Sequence, residues 1–314
     1  MRHRNNSEDE LASLREDWDR RIQADPLLWM SGRTLAESAF FESGTEDLQL
    51  LLTNIEAPNG VALDYGCGTG RMLPAASSRF RRVFAYDFSP EAVHRAAQVV
   101  TMLSNVVVLD PLPRLSEAAI PTPPDVIFSY GVCGIMPAQV VASALTDCAR
   151  AQREGGHLVI QLYIGAEQIG SRSDSLAVRC YEPARLEAAL AAAGYGAVAM
   201  RELIHPELDV SDSAANISAT IVHARRSVAE PQPDNVVHRQ LVRDPETECP
   251  SAWPGALLEF RLATTSAEAC INAGYLARAK QLLDFALERY PEEHDLLKPI
   301  LARLKERLQS DRLP

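Results

Sequence analysis

Apolar positions along the chain change their period twice, and the changes divide it. Over 7–24, Leu11, Leu14 and Trp18 recur at helical spacing behind a capping Ser7 and an acidic first turn, and Asp25-Pro26 stops the helix they predict. Leu27-Leu28-Trp29-Met30 follows as an apolar plug before Ser31-Gly32. A second helix is expected over roughly 45–55 and is broken by Ala57-Pro58-Asn59-Gly60. From 61 onward the pattern becomes short apolar runs at 61–65, 83–86, 106–109, 126–129 and 158–163, with helical stretches at about 71–79, 90–102 and 138–151 between them. Strands that are apolar on both faces and alternate with helices predict a parallel sheet covered on both sides. A further helix over 183–193 ends at Gly194, and two more strands are expected at 198–204 and 217–224, joined by the polar loop 205–215. The expected count is seven strands, the last two forming a hairpin.

This pattern implies a helical preface over 1–58, an α/β unit over 59–226, a Pro-rich linker or extended wrap over 227–254 and a helical extension over 255–314. Within 260–291, Gly274, Ala279, Ala286 and Pro291 stand at the spacing of one tetratricopeptide-like helical hairpin. A single hairpin cannot bury its own apolar face. It must dock on the α/β unit, on a second copy or on a partner protein, and a symmetric homodimer through these helices is the favoured expectation.

Composition narrows the function classes. A formal net charge of −11 repels phosphate backbones, so no nucleic-acid partner is expected. The six cysteines form no CxxC and have no histidine at zinc spacing, which predicts free thiols in a reducing cytoplasm and no metal. No apolar run reaches the roughly 18 residues needed to cross a bilayer. The polar first residues do not form a signal peptide, so no membrane partner is expected.

The most specific feature is the strand over 61–65 running into Gly66-Cys-Gly-Thr-Gly-Arg71 and then a helix. Glycines at 66, 68 and 70 let the backbone turn sharply and come close to a ligand. A nicotinamide fingerprint wants glycine at the next position, which is Arg71. Asp64 just before the loop disfavours a pyrophosphate and suits a ligand carrying an ammonium and a sulfonium. Asp87 at the end of the second strand is placed to accept from ribose hydroxyls, and Ser89-Pro90-Glu91 behind it starts a helix. Phe88 is placed to cover an adenine face, and Asp110 after the third strand to meet the adenine amino group.

LDYGCGTGR at 63–71, FAYDFSPEAV at 84–93, VVVLDPLP at 106–113, PDVIFSYGVCGIM at 124–136 and GGHLVIQLY at 155–163 resemble motifs I to V of the class I S-adenosylmethionine-dependent methyltransferases. The resemblance covers about 59–226. It implies a Rossmann-like sheet in the order 3-2-1-4-5-7-6 and S-adenosylmethionine as cofactor. It implies cofactor roles for Asp64, Gly66, Gly68, Gly70, Asp87, Phe88 and Asp110, with Ser129 and Tyr130 beside the reacting methyl. The segment from Arg15 to Gly32 is similar to the N-terminal lid of small-molecule members.

No residue pattern identifies a catalytic base. His205 lies in the loop after the sixth strand, a region that lines acceptor pockets in the family, and Tyr130 and Tyr163 are strand-end candidates. The fourth-strand motif is Phe128-Ser-Tyr-Gly, not the Asn/Asp-Pro-Pro-Tyr/Phe of amino-nitrogen methylation on bases or glutamine. The expected function is methylation of a small or medium biosynthetic metabolite. The alternatives are a peptide or carrier-bound acceptor recognised through the C-terminal helices, and a cofactor-binding protein without transfer activity.

Overall fold

The leading helices are set by their caps. In the computed structural model, which describes residues 2–32, 36–55, 57, 59–203, 217–244 and 254–310, α1 (Arg2–Ala24) ends at Asp25. The Asp25 carboxylate accepts from the amides of Leu27 (3.0 Å) and Leu28 (2.9 Å) and so starts α2 (Pro26–Ser31), which Gly32 closes at φ +67°. The expected apolar plug is therefore a short helix. After α3 (Glu37–Leu51) the chain enters the sheet.

Its strands are β1 (Val61–Tyr65), β2 (Arg82–Tyr86), β3 (Val106–Val108), β4 (Val126–Ser129), β5 (His157–Ile164), β6 (Cys180–Tyr181), β7 (Tyr195–Glu202) and β8 (Ser218–Arg226). They lie in the order β3-β2-β1-β4-β5-β8-β7, with β6 paired to β5. Strand β8 is antiparallel to both neighbours, and the pairs from β3 to β5 are parallel. Without β6 this is the expected 3-2-1-4-5-7-6 order. The additional strand, β6, is too short to show a period: it pairs with Tyr163 and Ile164, where β5 runs past the end of β4. Strand β7 begins at Tyr195 rather than 198, because a bulge between Gly196 and Ala199, with Ala197 at φ +49°, interrupts its alternation.

Helices α4 (Leu73–Arg79), α5 (Pro90–Val99), α6 (Ala138–Ala151) and α7 (Pro183–Ala192) connect the strands. Alternate residues of β1 serve two cores: Val61 and Leu63 pack with α6 and α7, Ala62 with α3 and α4. The stretch expected as a linker contains α8 (Asp234–Leu241), whose Val237 and Leu241 are fully buried in the first of these cores. Its prolines stand outside the helix and disguised it.

The C-terminal helices α9 (Gly255–Ala273), α10 (Leu276–Arg289) and α11 (His294–Ser310) pack in cis. Gly274, at φ +83°, closes α9 and turns the chain into α10. A third core joins Leu276, Leu282, Leu283, Phe285 and Ala286 to Trp18, Leu28 and Trp29 of the leading helices. The Trp29 and Phe285 rings meet at 5.6 Å. The apolar face for which a homodimer was the favoured cover is thus covered within the chain. Ion pairs rim the contact: Arg278 holds Asp25, and Arg289 holds Asp17 at 3.1 Å. Inside it, the Arg21 Nε donates to Glu259, and both side chains are nearly inaccessible.

Removing one partner of a buried ion pair leaves the other charge desolvated and unpaired. Replacing Glu259 with Ala strands Arg21, so a loss of about 3–5 kcal/mol is expected from urea denaturation. A loss below ~1 kcal/mol would show that solvent reaches the pair.

At the start of β5, away from the glycine loop, His157 and His223 stack at 5.0 Å, with Nδ1 and Nε2 at 2.8 Å. Burial, then the Arg225 and His223 charges, push His157 down to about 4. The unfolded chain therefore takes up this proton near the ordinary value of 6.5 while the folded chain resists it. Stability from this site is complete above that value and lost as pH falls toward about 4. His157→Gln is expected to flatten the fall in Tm over that window, and an unchanged slope would assign the fall to other groups.

Candidate functional site

At the carboxyl ends of β1 and β2 the backbone makes a tight cradle. The amides of Gly66 and Cys67 both donate to the Tyr86 carbonyl, at 2.8 and 3.0 Å, tying the loop to the next strand. Gly66, Gly68 and Gly70 all have positive φ. A Cβ on Gly66 would stand 2.4 Å from the Val132 side chain, and one on Gly68 would stand 2.3 Å from the Met30 sulfur of α2. Helix α2 thus lies directly on the loop.

Asp87 is the crosslink of this cradle. One oxygen accepts from the Gly68 amide and the other from the Ser89 amide, each at 2.9 Å. Burial pushes its carboxyl up to about 6, against the pull of those amides. Ser89 caps α5 by accepting from the Ala92 amide at 3.0 Å, and its hydroxyl donates to Asp19 of α1. Asp19 also accepts from the Glu91 amide at 3.2 Å, so α1 is seated on the start of α5.

Asp64 lies one layer behind the loop. It is fully buried, and neither oxygen has a hydrogen-bond partner. Burial first, then the Asp87 charge, push its carboxyl up to about 8, while Arg71 pulls the other way. Arg71 is itself held by Asp47 at 2.7 Å and Ser43 at 3.1 Å of α3, and its guanidinium lies 5.8 Å from the Tyr130 ring centre.

A cavity of about 270 Å³ opens from this cradle. Gly66, Gly68, Asp87, Phe88, Tyr130 and Tyr163 line it, so the structure brings these sequence-predicted residues together. Gly70 and Ser129 stand behind the wall: Gly70 packs against Ala96, and the buried Ser129 hydroxyl accepts from the Cys133 thiol at 3.8 Å. Asp110 is exposed and does not line the cavity, where Pro113 does. Tyr163 packs against Gly134, on which a Cβ would stand 2.7 Å from the ring. His205 lies outside the described residues. Among the described residues no cluster of His, Cys, Asp or Glu can hold a metal ion.

Sequence reasoning missed two organisers of the wall. Arg179, fully buried, donates to the carbonyls of Ser171 and Asp174 at 2.7 Å, of Ala177 at 3.0 Å and of Ile135. Asp174 accepts from the amides of Leu176, Ala177 and Gly255, joining that loop to the first turn of α9. An arginine inside the apolar run Leu176-Ala-Val-Arg-Cys-Tyr181 was the available signal. It was legible only as a buried charge whose partners are carbonyls.

A family model described as a methyltransferase domain matches residues 62–156. No curated protein matches the chain. Among solved structures, the chain is similar to the Burkholderia thailandensis 1,6-didemethyltoxoflavin N1-methyltransferase, crystallised with 1,6-didemethyltoxoflavin and S-adenosylhomocysteine. The identity is 18% and the TM-score 0.50, over 69% of this chain and 88% of that one. The Haemonchus contortus phosphoethanolamine N-methyltransferase 1, with phosphoethanolamine and S-adenosylhomocysteine, is 14% identical at a TM-score of 0.52, over 74% and 53% of the two chains. The N-methyltransferase NodS of Bradyrhizobium japonicum is 17% identical at 0.49, over 68% and 98%. At such identities the first two of these structures speak for the fold alone. Residues 62–156 thus carry a methyltransferase domain, and the solved structures share its Rossmann-like fold. The matched domain is that of a methyl-transferring enzyme, and S-adenosylmethionine is the cofactor it implies.

The Asp87 crosslink bears on how this site can be tested. A ribose contact alone predicts that Asp87→Ala lowers cofactor affinity without touching the free protein. The structure adds two buried amides that would lose their acceptor, each worth about 1–3 kcal/mol. Asp87→Ala is expected to lower both the Tm of the free protein and the cofactor affinity. An unchanged Tm would mean that solvent replaces the carboxylate.

Proposed function

We propose that the protein methylates a small molecule enclosed between the glycine loop and the helices above it, with the α/β unit over 59–226 holding the cofactor. The observation that carries this reading is one cavity running from Gly66, Gly68 and Asp87 to a chamber closed by α1, α2 and α9. When bound, S-adenosylmethionine supplies a methyl group already activated by its sulfonium. The chain's own residues then bind, aim and exclude water. Asp87 is assigned to the ribose hydroxyls and Phe88 to an adenine face. The glycines bring backbone within reach of the amino-acid end, and Tyr130 and Tyr163 flank the transfer. Asp110 is left out of the assignment because its side chain is exposed.

Asp64 fits the cofactor through its field. A buried carboxyl without partners, held near 8, is protonated at neutral pH in the free protein. An ammonium and a sulfonium brought to the cradle favour its charged form, and its proton leaves. We also assign the protein to the cytoplasm. No helix among the described residues is long and apolar enough to cross a membrane, and the described cysteines are free thiols.

Calorimetry tests the reading. S-adenosylmethionine and S-adenosylhomocysteine are expected to bind at micromolar affinity and NAD not at all. At pH 7, titrations of S-adenosylmethionine in phosphate and in Tris should show release of about one proton, absent in Asp64→Asn. NAD binding without S-adenosylmethionine binding would overturn the cofactor reading, and wild-type binding without proton release would overturn the role of Asp64.

A further inference from the structure

The far end of the cavity differs in kind from the glycine-loop end. Trp18 and Trp29 come from the leading helices, Ile135 follows β4, Leu176 sits on the loop held by Arg179, and Leu258 and Leu262 come from α9. Both indoles are almost wholly buried. The charged side chains among the described lining residues are Arg71 and Asp87, both at the glycine-loop end. Each is engaged there, Arg71 with Asp47 and Asp87 with the Gly68 and Ser89 amides. A charged group entering the far end would exchange water for hydrocarbon and indole, which costs several kcal/mol unless a partner meets it. An uncharged apolar body gains from the same exchange.

Leu258 and Leu262 lie well beyond the matched methyltransferase domain, yet they face the same cavity as Trp18 and Trp29. The start of α9 is fixed by Asp174, whose carboxylate accepts from the Gly255 amide at 2.8 Å. One turn on, Glu259 pairs with Arg21 of α1. The segment carrying both leucines is therefore pinned at its start and between them.

We infer that the methyl acceptor is an uncharged, largely apolar and ring-bearing small molecule, gripped between the indoles of Trp18 and Trp29 and the α9 leucines Leu258 and Leu262. This rests on the methyltransferase reading above. The C-terminal helices are then part of the acceptor site. Leu258 and Leu262 are specificity-determining residues that act by contact with the acceptor's body, and the nucleophilic atom is presented toward Tyr130 and Tyr163.

A matched pair of probes tests this on the full-length protein saturated with S-adenosylhomocysteine. 4-Phenylphenol is neutral, and 4′-hydroxybiphenyl-4-carboxylate has the same rings plus one charge. Calorimetry is expected to show 4-phenylphenol binding and the carboxylate binding at least tenfold more weakly. Leu262→Glu should weaken 4-phenylphenol at least tenfold and leave S-adenosylhomocysteine affinity unchanged. Leu262→Trp keeps the wall apolar but fills the chamber. It should retain the wild-type Tm and lose 4-phenylphenol, which keeps the test decisive if the glutamate variant misfolds. Equal or tighter binding of the carboxylate, no binding of 4-phenylphenol, or unchanged phenol affinity in Leu262→Trp would overturn the inference. Failure of S-adenosylhomocysteine itself to bind would instead strike the methyltransferase reading.

Discussion

The ion pair between Arg21 and Glu259 joins residues 238 positions apart and is buried on both sides. Burying two charges is costly, and the cost is met only where further hydrogen bonds satisfy both groups. Glu259 has them: Arg289 donates to its second oxygen at 3.3 Å, and the Tyr290 hydroxyl donates there too. Arg21 also lies over the Trp18 ring, 5.0 Å from its centre. The pair therefore sits where the first helix, the C-terminal hairpin and the cavity wall meet. It adds a buried polar tie to the apolar core that joins the two ends of the chain.

Electrostatics then separates the two ends of the cavity. The Asp87 charge raises the cost of ionising Asp64, and the amides of Gly68 and Ser89 hold Asp87 in place. This is a site in want of positive charge, close to a backbone that glycine leaves open. The other end is hydrocarbon and indole. A molecule spanning both would have to be cationic at one end and greasy at the other. Two molecules, one for each end, meet the same demand without compromise.

Much of this was legible in the residues, unevenly. The five parallel strands and the glycine loop declare themselves because each strand is apolar on both faces and each turn carries its own chemistry. Asp87 and Phe88 follow from standing at the end of the second strand. Helix α8 was hidden by the prolines around it, and β6 by being two residues long. The docking of the C-terminal helices was illegible for a different reason. An apolar helix face advertises that it must be covered, but not by what, and the partners here are indoles more than 200 positions away in the chain. Arg179 shows the same limit: a guanidinium satisfied by carbonyls has no sequence partner to announce it.

The bulge in β7 bears on how far the sheet can grow. A sheet rim with free amides and carbonyls is a template for strands of other molecules. At one rim β3 offers three residues. At the other, the kink at Ala197 breaks the row of free groups, and Arg201 and Glu202 charge its far end. Among the described residues neither rim presents a long flat template for strand donation by another molecule. In a crowded solution these rims disfavour growth of the sheet from one molecule to the next.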